Sequence, residues 1–472
     1  LETDGAPHRG EEWPSLNTHN SALNLHGVTH RVAAALAPPQ PLPAQPLARS
    51  TAVSSRLTLS GCVLFLTCAL MFGSGFKAFR PEVMGLLVHP FLIPIALVAP
   101  FLLISRLKAF PVRALTALTV FFLLYAMSNL MGGRAALSEI VKVATSGVAI
   151  VATALLIRSR ADFVAGVVGL GIAAGTMGLY GMQSTFSSAT GVEALDVGNK
   201  NAFSLFVLPA ILLCGFLFFE MPVRSKALRL TLKAICVAAI GACALAIFLS
   251  GNRSGYVGCV VIGALLLKEK KLYGFLLVGL LAAGVVYLMM SFHLTDVFQR
   301  RWNQTFVEKN ASDELRGQIL LTCFKIGLDY PIAGVSANKL PIHIGAVVGG
   351  QFAGINAIES HNVFAHVWAS AGVICFASLC YIGWVLCFMS PPPNKADLAL
   401  ATEFVRAQRL LKMMVLLWVI RGMFTASILY NPGFSMGLGL AIGFCALLSA
   451  KPKRGPLGSG VPAMPSRYGV QH

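Results

Sequence analysis

Apolar runs of about 20 residues follow one another along nearly the whole chain, and no other feature restricts its fold as strongly. A run of that length crosses the ~30 Å hydrocarbon core of a bilayer as one helix. In lipid the backbone must satisfy its own hydrogen bonds, which helices do within each segment. The runs read as spans at 57–76, 84–105, 114–132, 136–157, 163–183, 202–219, 230–249, 255–267, 272–292, 362–389, 410–430 and 433–450. Charged residues make up 12% of the chain, about half the share found in soluble domains. The expected fold class is an all-α polytopic membrane protein with about 12 transmembrane helices.

The net charge is +18. In a soluble protein that excess would indicate nucleic acid. Here most basic residues sit in short loops, where they report orientation, and no nucleic-acid partner is expected. Arg106, Lys108 and Arg113, then Arg158 and Arg160, then Arg224, Lys226 and Arg229, then Lys268, Lys270 and Lys271, then Lys395, Arg406 and Arg409 fall in alternate loops. Twelve spans with both termini cytoplasmic put all of these on the inner side. The outer side then holds 77–83, the turn near Arg134, 184–201, the turn at Arg253 and a large loop, 293–361. The division expected is a disordered cytoplasmic segment 1–56, spans over 57–292, the outer loop, spans over 362–450 and a cytoplasmic tail 451–472. Pro38, Pro39, Pro41, Pro43 and Pro46 mark the first segment as disordered, and its acidic start does not read as a signal peptide. Ten of the 11 cysteines lie in apolar runs, where cysteine acts as a small hydrophobe. Cys323 is alone in the outer loop, so no structural disulfide is expected.

The outer loop carries a helix signal. Asn310 or Ser312 can cap it, and Asp313 and Glu314 suit the first turn. Leu315, Ile319, Leu320 and Phe324 recur at helical spacing, and Pro331 ends the pattern. The expectation is an amphipathic helix lying on the membrane surface.

Several polar residues in the outward turns could carry chemistry. Arg253 lies in Ser250-Gly251-Asn252-Arg253-Ser254-Gly255, whose small residues allow a tight turn between spans. A guanidinium there can grip phosphate in bidentate fashion, although a snorkelling interfacial arginine would look the same. Arg316 falls early in the loop helix, as an anion ligand or a solvated charge. His361, in Glu359-Ser360-His361-Asn362, stands at the mouth of the tenth span. The positive end of the helix dipole disfavours imidazolium there. A neutral ring can act as general base at about pH 7, and a plain helix cap is the alternative. His366 lies off the same face, so a zinc site is not expected. Lys200 could add positive charge to an anion site or anchor the sixth span. Arg421 reads as a charge in the middle of the eleventh span, where it would face a cavity or a partner. The outward segments hold no paired carboxylates of the kind that bind Mg²⁺, so neither a metal nor another cofactor is expected.

Taken in order, these motifs resemble the O-antigen ligase and polymerase family of bacterial inner membranes. The carriers are Ser250 to Gly255, an arginine helix running into Asp329-Tyr330-Pro331-Ile332-Ala333-Gly334-Val335, then His361-Asn362-Val363-Phe364 and Ala371-Gly372-Val373. The resemblance is clearest over 198–390. It implies a GT-C-type membrane glycosyltransferase working without metal at the periplasmic face and inverting the anomeric centre. The donor would be O-antigen on undecaprenyl pyrophosphate and the acceptor lipid A–core oligosaccharide, in lipopolysaccharide biosynthesis. His361 would be the general base, and Arg253 and Arg316, with Lys200 as a looser addition, would bind the pyrophosphate. Ser336-Ala337 departs from the pattern, since relatives often carry another glycine there.

The nearest rivals are an O-antigen polymerase and a protein O-oligosaccharyltransferase of the same family. One dominant outer loop favours the ligase. A 12-helix secondary transporter is the alternative from another class. The spans offer few acidic residues for proton coupling, and so large an outer loop would be unusual in one.

Overall fold

A computed structural model describes residues 57–74, 82–83, 86–87, 89–98, 111–130, 136–187, 200–220, 225–250, 252–269, 303, 311–348, 360–389 and 398–449. The expected segments 1–56 and 451–472, the ninth span at 272–292, the turn near Arg134, residues 188–199 and the first part of the outer loop fall outside the described residues. So does part of the second span, of which residues 92–98 are helical.

The described chain is helical. Its main elements are α1 (Leu59–Ala69), α2 (Val112–Leu130), α3 (Ala136–Leu156), α4 (Arg160–Ser187), α5 (Lys200–Glu220), α6 (Lys226–Leu249), α7 (Arg253–Glu269), α8 (Ala311–Asp329), α9 (Leu340–Val348), α10 (Val363–Cys387), α11 (Leu398–Gly422) and α12 (Pro432–Ser449). Among the described residues the strand pairing is one two-residue ladder, Glu82–Val83 against Leu86–Leu87. Among the described residues seven helices are long and apolar enough to cross a membrane: α2, α3, α4, α5, α6, α10 and α12. α1 and α7 are apolar but shorter. Leu123, Met127, Leu230, Val260 and Trp384 point outward from these helices, as lipid-facing side chains do.

α12 runs through the centre, with every residue from Pro432 to Cys445 buried. It packs against α3, α5 and α11, while α4 packs against α1, α5 and α6. Small residues permit the closest of these approaches. Gly439 and Gly443, four apart on α12, leave no room for a Cβ against the α3 backbone at Ile150 and Ala154. This is the small-residue helix contact expected where lipid offers no hydrophobic drive to association.

The eleventh span departs from its expected range of 410–430. α11 begins at Leu398 and stops at Gly422. Its first turns carry Glu403, Arg406 and Arg409, which hydropathy reads as loop. Arg406 pairs with Glu220 at 2.8 Å and Glu403 with Arg160, so these charges are held at one end of the bundle. At the other end a separate 3-10 turn, Ala426–Tyr430, capped by Thr425, leads into α12. Arg421 is therefore in the last turn of its helix and not at mid-span.

The outer-loop helix forms as α8, but its buried face differs from the expected one. Ile319, Cys323 and Ile326 are buried with Val335, Leu340, Ile344, Ala365 and Ala369 in a small core of their own. Leu315 and Leu320 border that core, and Phe324 is 48% exposed. α8 thus lies against α10. Leu321, Phe324 and Leu328 leave a second, outward apolar face. The short helix α9 buries Leu340 and Ile344 in the same core.

Candidate functional site

α10 is broken at Gly372, whose backbone leaves the helix at φ 80° and ψ 178°. The freed backbone groups find partners in the chain leaving α8. Val373 N donates to Pro331 O at 2.8 Å, Val335 N to Ala369 O at 3.0 Å and Ser336 N to Ser370 O at 2.9 Å. Two of the sequence motifs, Pro331 to Val335 and Ala371 to Val373, are therefore the two halves of one joint. Gly334 holds φ +65°, and a Cβ on it would strike the Ser370 backbone. A Cβ on Gly372 would strike the Ile332 carbonyl. Only glycine adopts both backbones without strain. Ser336 holds φ 70° in the same left-handed region. A serine here thus holds a backbone that glycine adopts without strain.

The end of α2 clamps this joint. Ser128 Oγ donates to Ala333 O, and Asn129 Oδ1 accepts from Ala337 N at 2.7 Å and from Ser336 Oγ at 3.2 Å. Both residues are buried. Their signal in the sequence is two adjacent polar residues closing an otherwise apolar run.

His361 stands two residues before α10, with φ 52°. Asn362 is the cap: its Oδ1 accepts from Phe364 N at 2.9 Å and from Ala365 N at 3.0 Å. The capping role the sequence left open for His361 thus falls to its neighbour Asn362. A left-handed conformation in a non-glycine residue costs free energy and is kept where surrounding contacts impose it. His366 is buried one turn further on.

The turn of Arg253 is built in the same way. Arg253 is the first residue of α7 and is partly exposed. Asn252 precedes it, buried, with Oδ1 accepting from Gly255 N at 3.1 Å and from Ser254 Oγ at 2.8 Å. Asn252 Nδ2 donates to Ser204 Oγ, near the start of α5, at 3.0 Å. Arg421, fully buried, donates to the same oxygen at 2.6 Å. Two residues beyond Arg421, the Met423 carbonyl accepts from Asn362 Nδ2 at 3.4 Å. A run of contacts thus links the turns of Arg253 and His361.

Arg316 lies exposed on α8, one turn before Ile319 on the stripe that faces α10. Trp368 Nε1 donates to Phe324 O at 3.3 Å, and the chain leaving α8 reaches Val373 through Pro331. α8 and α10 therefore run in the same direction, which points the Arg316 end of α8 toward the His361 end of α10. Lys200 opens α5, one turn before Ser204. Its side chain lies outside the described residues. Cys323 is buried in the loop core, and burial pushes its thiol up to about 12. A thiol so placed is inert. Among the described residues no three His, Cys, Asp or Glu side chains are grouped as metal ligands.

Residues 236–380 match the family model described as O-antigen ligase. Over this segment the chain is similar to the O-antigen ligase family. No curated protein matches the chain. The matched segment contains Arg253, Arg316, Gly334, His361 and Gly372. Ser128, Asn129, Lys200, Ser204 and Arg421 lie outside it. Seven helices long and apolar enough to cross a membrane, together with this family match, suggest a multi-pass membrane protein. The family suggests a glycosyltransferase-like enzyme acting on polysaccharide and lipid-linked substrates.

Proposed function

We propose that the chain ligates O-antigen polysaccharide from undecaprenyl pyrophosphate onto lipid A–core oligosaccharide, at the periplasmic face of the bacterial inner membrane. The fold would be of the GT-C type with about 12 transmembrane helices, the outer loop and the turns of Arg253 and His361 on the periplasmic side. The observation that carries the reading is the run of contacts from Asn252 to Asn362, which joins a guanidinium turn to an imidazole turn.

In this reading His361 takes the proton from the acceptor hydroxyl as that oxygen attacks the anomeric carbon. The new bond forms on the face opposite the bond to pyrophosphate, so the centre inverts. The anomeric carbon–oxygen bond breaks, and its electron pair leaves with undecaprenyl pyrophosphate. Arg253 and Arg316 bind that pyrophosphate and stabilise the charge as it grows, without a metal ion. Lys200 adds positive charge at the same end of the bundle. An apolar cavity of about 590 Å³ between residues 92–98, α2 and α3, lined by Ile95, Leu118, Phe122, Gly147 and Val151, suits part of a lipid tail. α2 is shared by that cavity and by the clamp on the outer loop.

The test is transfer by purified protein from an undecaprenyl-pyrophosphate glycan to lipid A–core. Wild type is expected to glycosylate lipid A–core. Extension of the donor glycan alone would make it a polymerase, and labelling of a pilin acceptor would make it a protein O-oligosaccharyltransferase. His361→Ala is expected to lower kcat by about 10²–10⁴-fold. Arg253→Ala and Arg316→Ala should each cost about 10²–10³-fold and weaken donor binding. Full activity in His361→Ala, or unchanged donor binding in both arginine variants, overturns the assigned roles.

A further inference from the structure

We infer that Arg421 is a positioning residue whose buried side chain ties the turn carrying Arg253 to the turn carrying His361. Its importance to transfer rests on the function proposed above; the tie itself is a matter of geometry. Arg421 is fully buried at the end of α11. Burying a guanidinium is costly, and an apolar residue of similar volume is often as stable or more so. The arginine here reaches the Ser204 hydroxyl at 2.6 Å, and the same oxygen accepts from Asn252 at 3.0 Å. A hydroxyl has two lone pairs, so these two donors fill it. Asn252 is thereby held in place while its other amide atom caps the helix that Arg253 opens.

The main chain of the same segment reaches the other turn. Phe424 N donates to Arg421 O at 3.0 Å and closes the end of α11. That turn presents Met423 O to Asn362 Nδ2. It also seats Gly422 so tightly that a Cβ there would lie 2.6 Å from Val363 Cγ1. One side chain and the turn it begins thus fix three helix ends: the starts of α5, α7 and α10. Displacements of an ångström at such a site can cost about 10²-fold in rate.

The experiment uses the full chain in nanodiscs, as wild type, Arg421→Ala and Ser204→Ala. Amide hydrogen exchange is read at Asn252–Tyr256 and at Asn362–Ala365, independently of activity. In Arg421→Ala both segments are expected to exchange faster by about tenfold or more, while α4 is unchanged. In Ser204→Ala, which removes one hydroxyl, the Asn252 segment is expected to loosen. In the transfer assay kcat should fall about tenfold in Ser204→Ala, and Arg253→Ala added to it should cost less than in wild type. Unchanged exchange at both turns overturns the tie. A lowered Tm with unchanged kcat per folded molecule, and an undiminished Arg253→Ala effect, overturns the positioning role. If wild type transfers nothing, the functional reading fails and the exchange result still decides the tie.

Discussion

At the scale of the residue, the non-glycine residues with left-handed backbones, Ser336 and His361 among the described residues, lie at the joint of α8 with α10 and at the mouth of α10. Ser336 is the clearest case, because its side chain partly offsets its conformation. A left-handed non-glycine residue costs about 1–2 kcal/mol, while Ser336 Oγ lies 2.7 Å from Asn338 Oδ1 and 3.2 Å from Asn129 Oδ1. Ser336→Ala keeps the strain and loses the bonds, so it is expected to destabilise by about 1 kcal/mol. Ser336→Gly loses the bonds but also the strain, and should lie close to wild type. Thermal melting of the two variants in one detergent checks this, and an alanine variant as stable as the glycine one would sink it. His361 and Asn362 show how far single residues were legible. Their pairing at a helix mouth was visible as letters. Which one caps depends on backbone angles that sequence does not carry. Arg421 was legible as an anomaly, but its place followed from where α11 starts and stops.

At the scale of the element, the informative case is α10. Its apolar run is continuous, and nothing in hydropathy marks a break at Gly372. The break exists because a segment some forty positions earlier supplies replacement hydrogen bonds (Val373 to Pro331). Periodicity reports only what a helix does with itself, so such a joint escapes it. α11 fails in the opposite sense, since its charged first turns look like loop until their partners on α4 and α5 are placed. At Gly372 a side chain would face both a backbone region reserved for glycine and the Ile332 carbonyl. Gly372→Ala is therefore expected to cost about 3 kcal/mol or more. The readout is the monodisperse fraction on size exclusion, and a wild-type yield would refute the joint. The neighbouring thiol is expected to be silent: Cys323 should not react with maleimide in folded protein and should do so once α8 is unfolded. Rapid labelling of native Cys323 would contradict its burial.

At the scale of the whole molecule, the proposed span count and orientation rest on charge and hydropathy read together, and they predict a labelling pattern. With the exposed Cys62 and Cys380 replaced by serine, a membrane-impermeant thiol reagent on spheroplasts with intact inner membranes should modify Arg316→Cys and spare Lys226→Cys. The reverse pattern would invert the topology. The order in which the chain is made adds a constraint of its own. Ser128 meets Ala333 across 205 positions of sequence. At about 5–20 residues per second of synthesis, the end of α2 waits about 10–40 s for the segment that covers it. The joint also needs α10, which is made later still. Buried polar groups at Ser128 and Asn129 must be served meanwhile by water, headgroups or the insertion machinery. A nascent chain arrested between α7 and α10 should therefore be the form of this protein most prone to proteolysis.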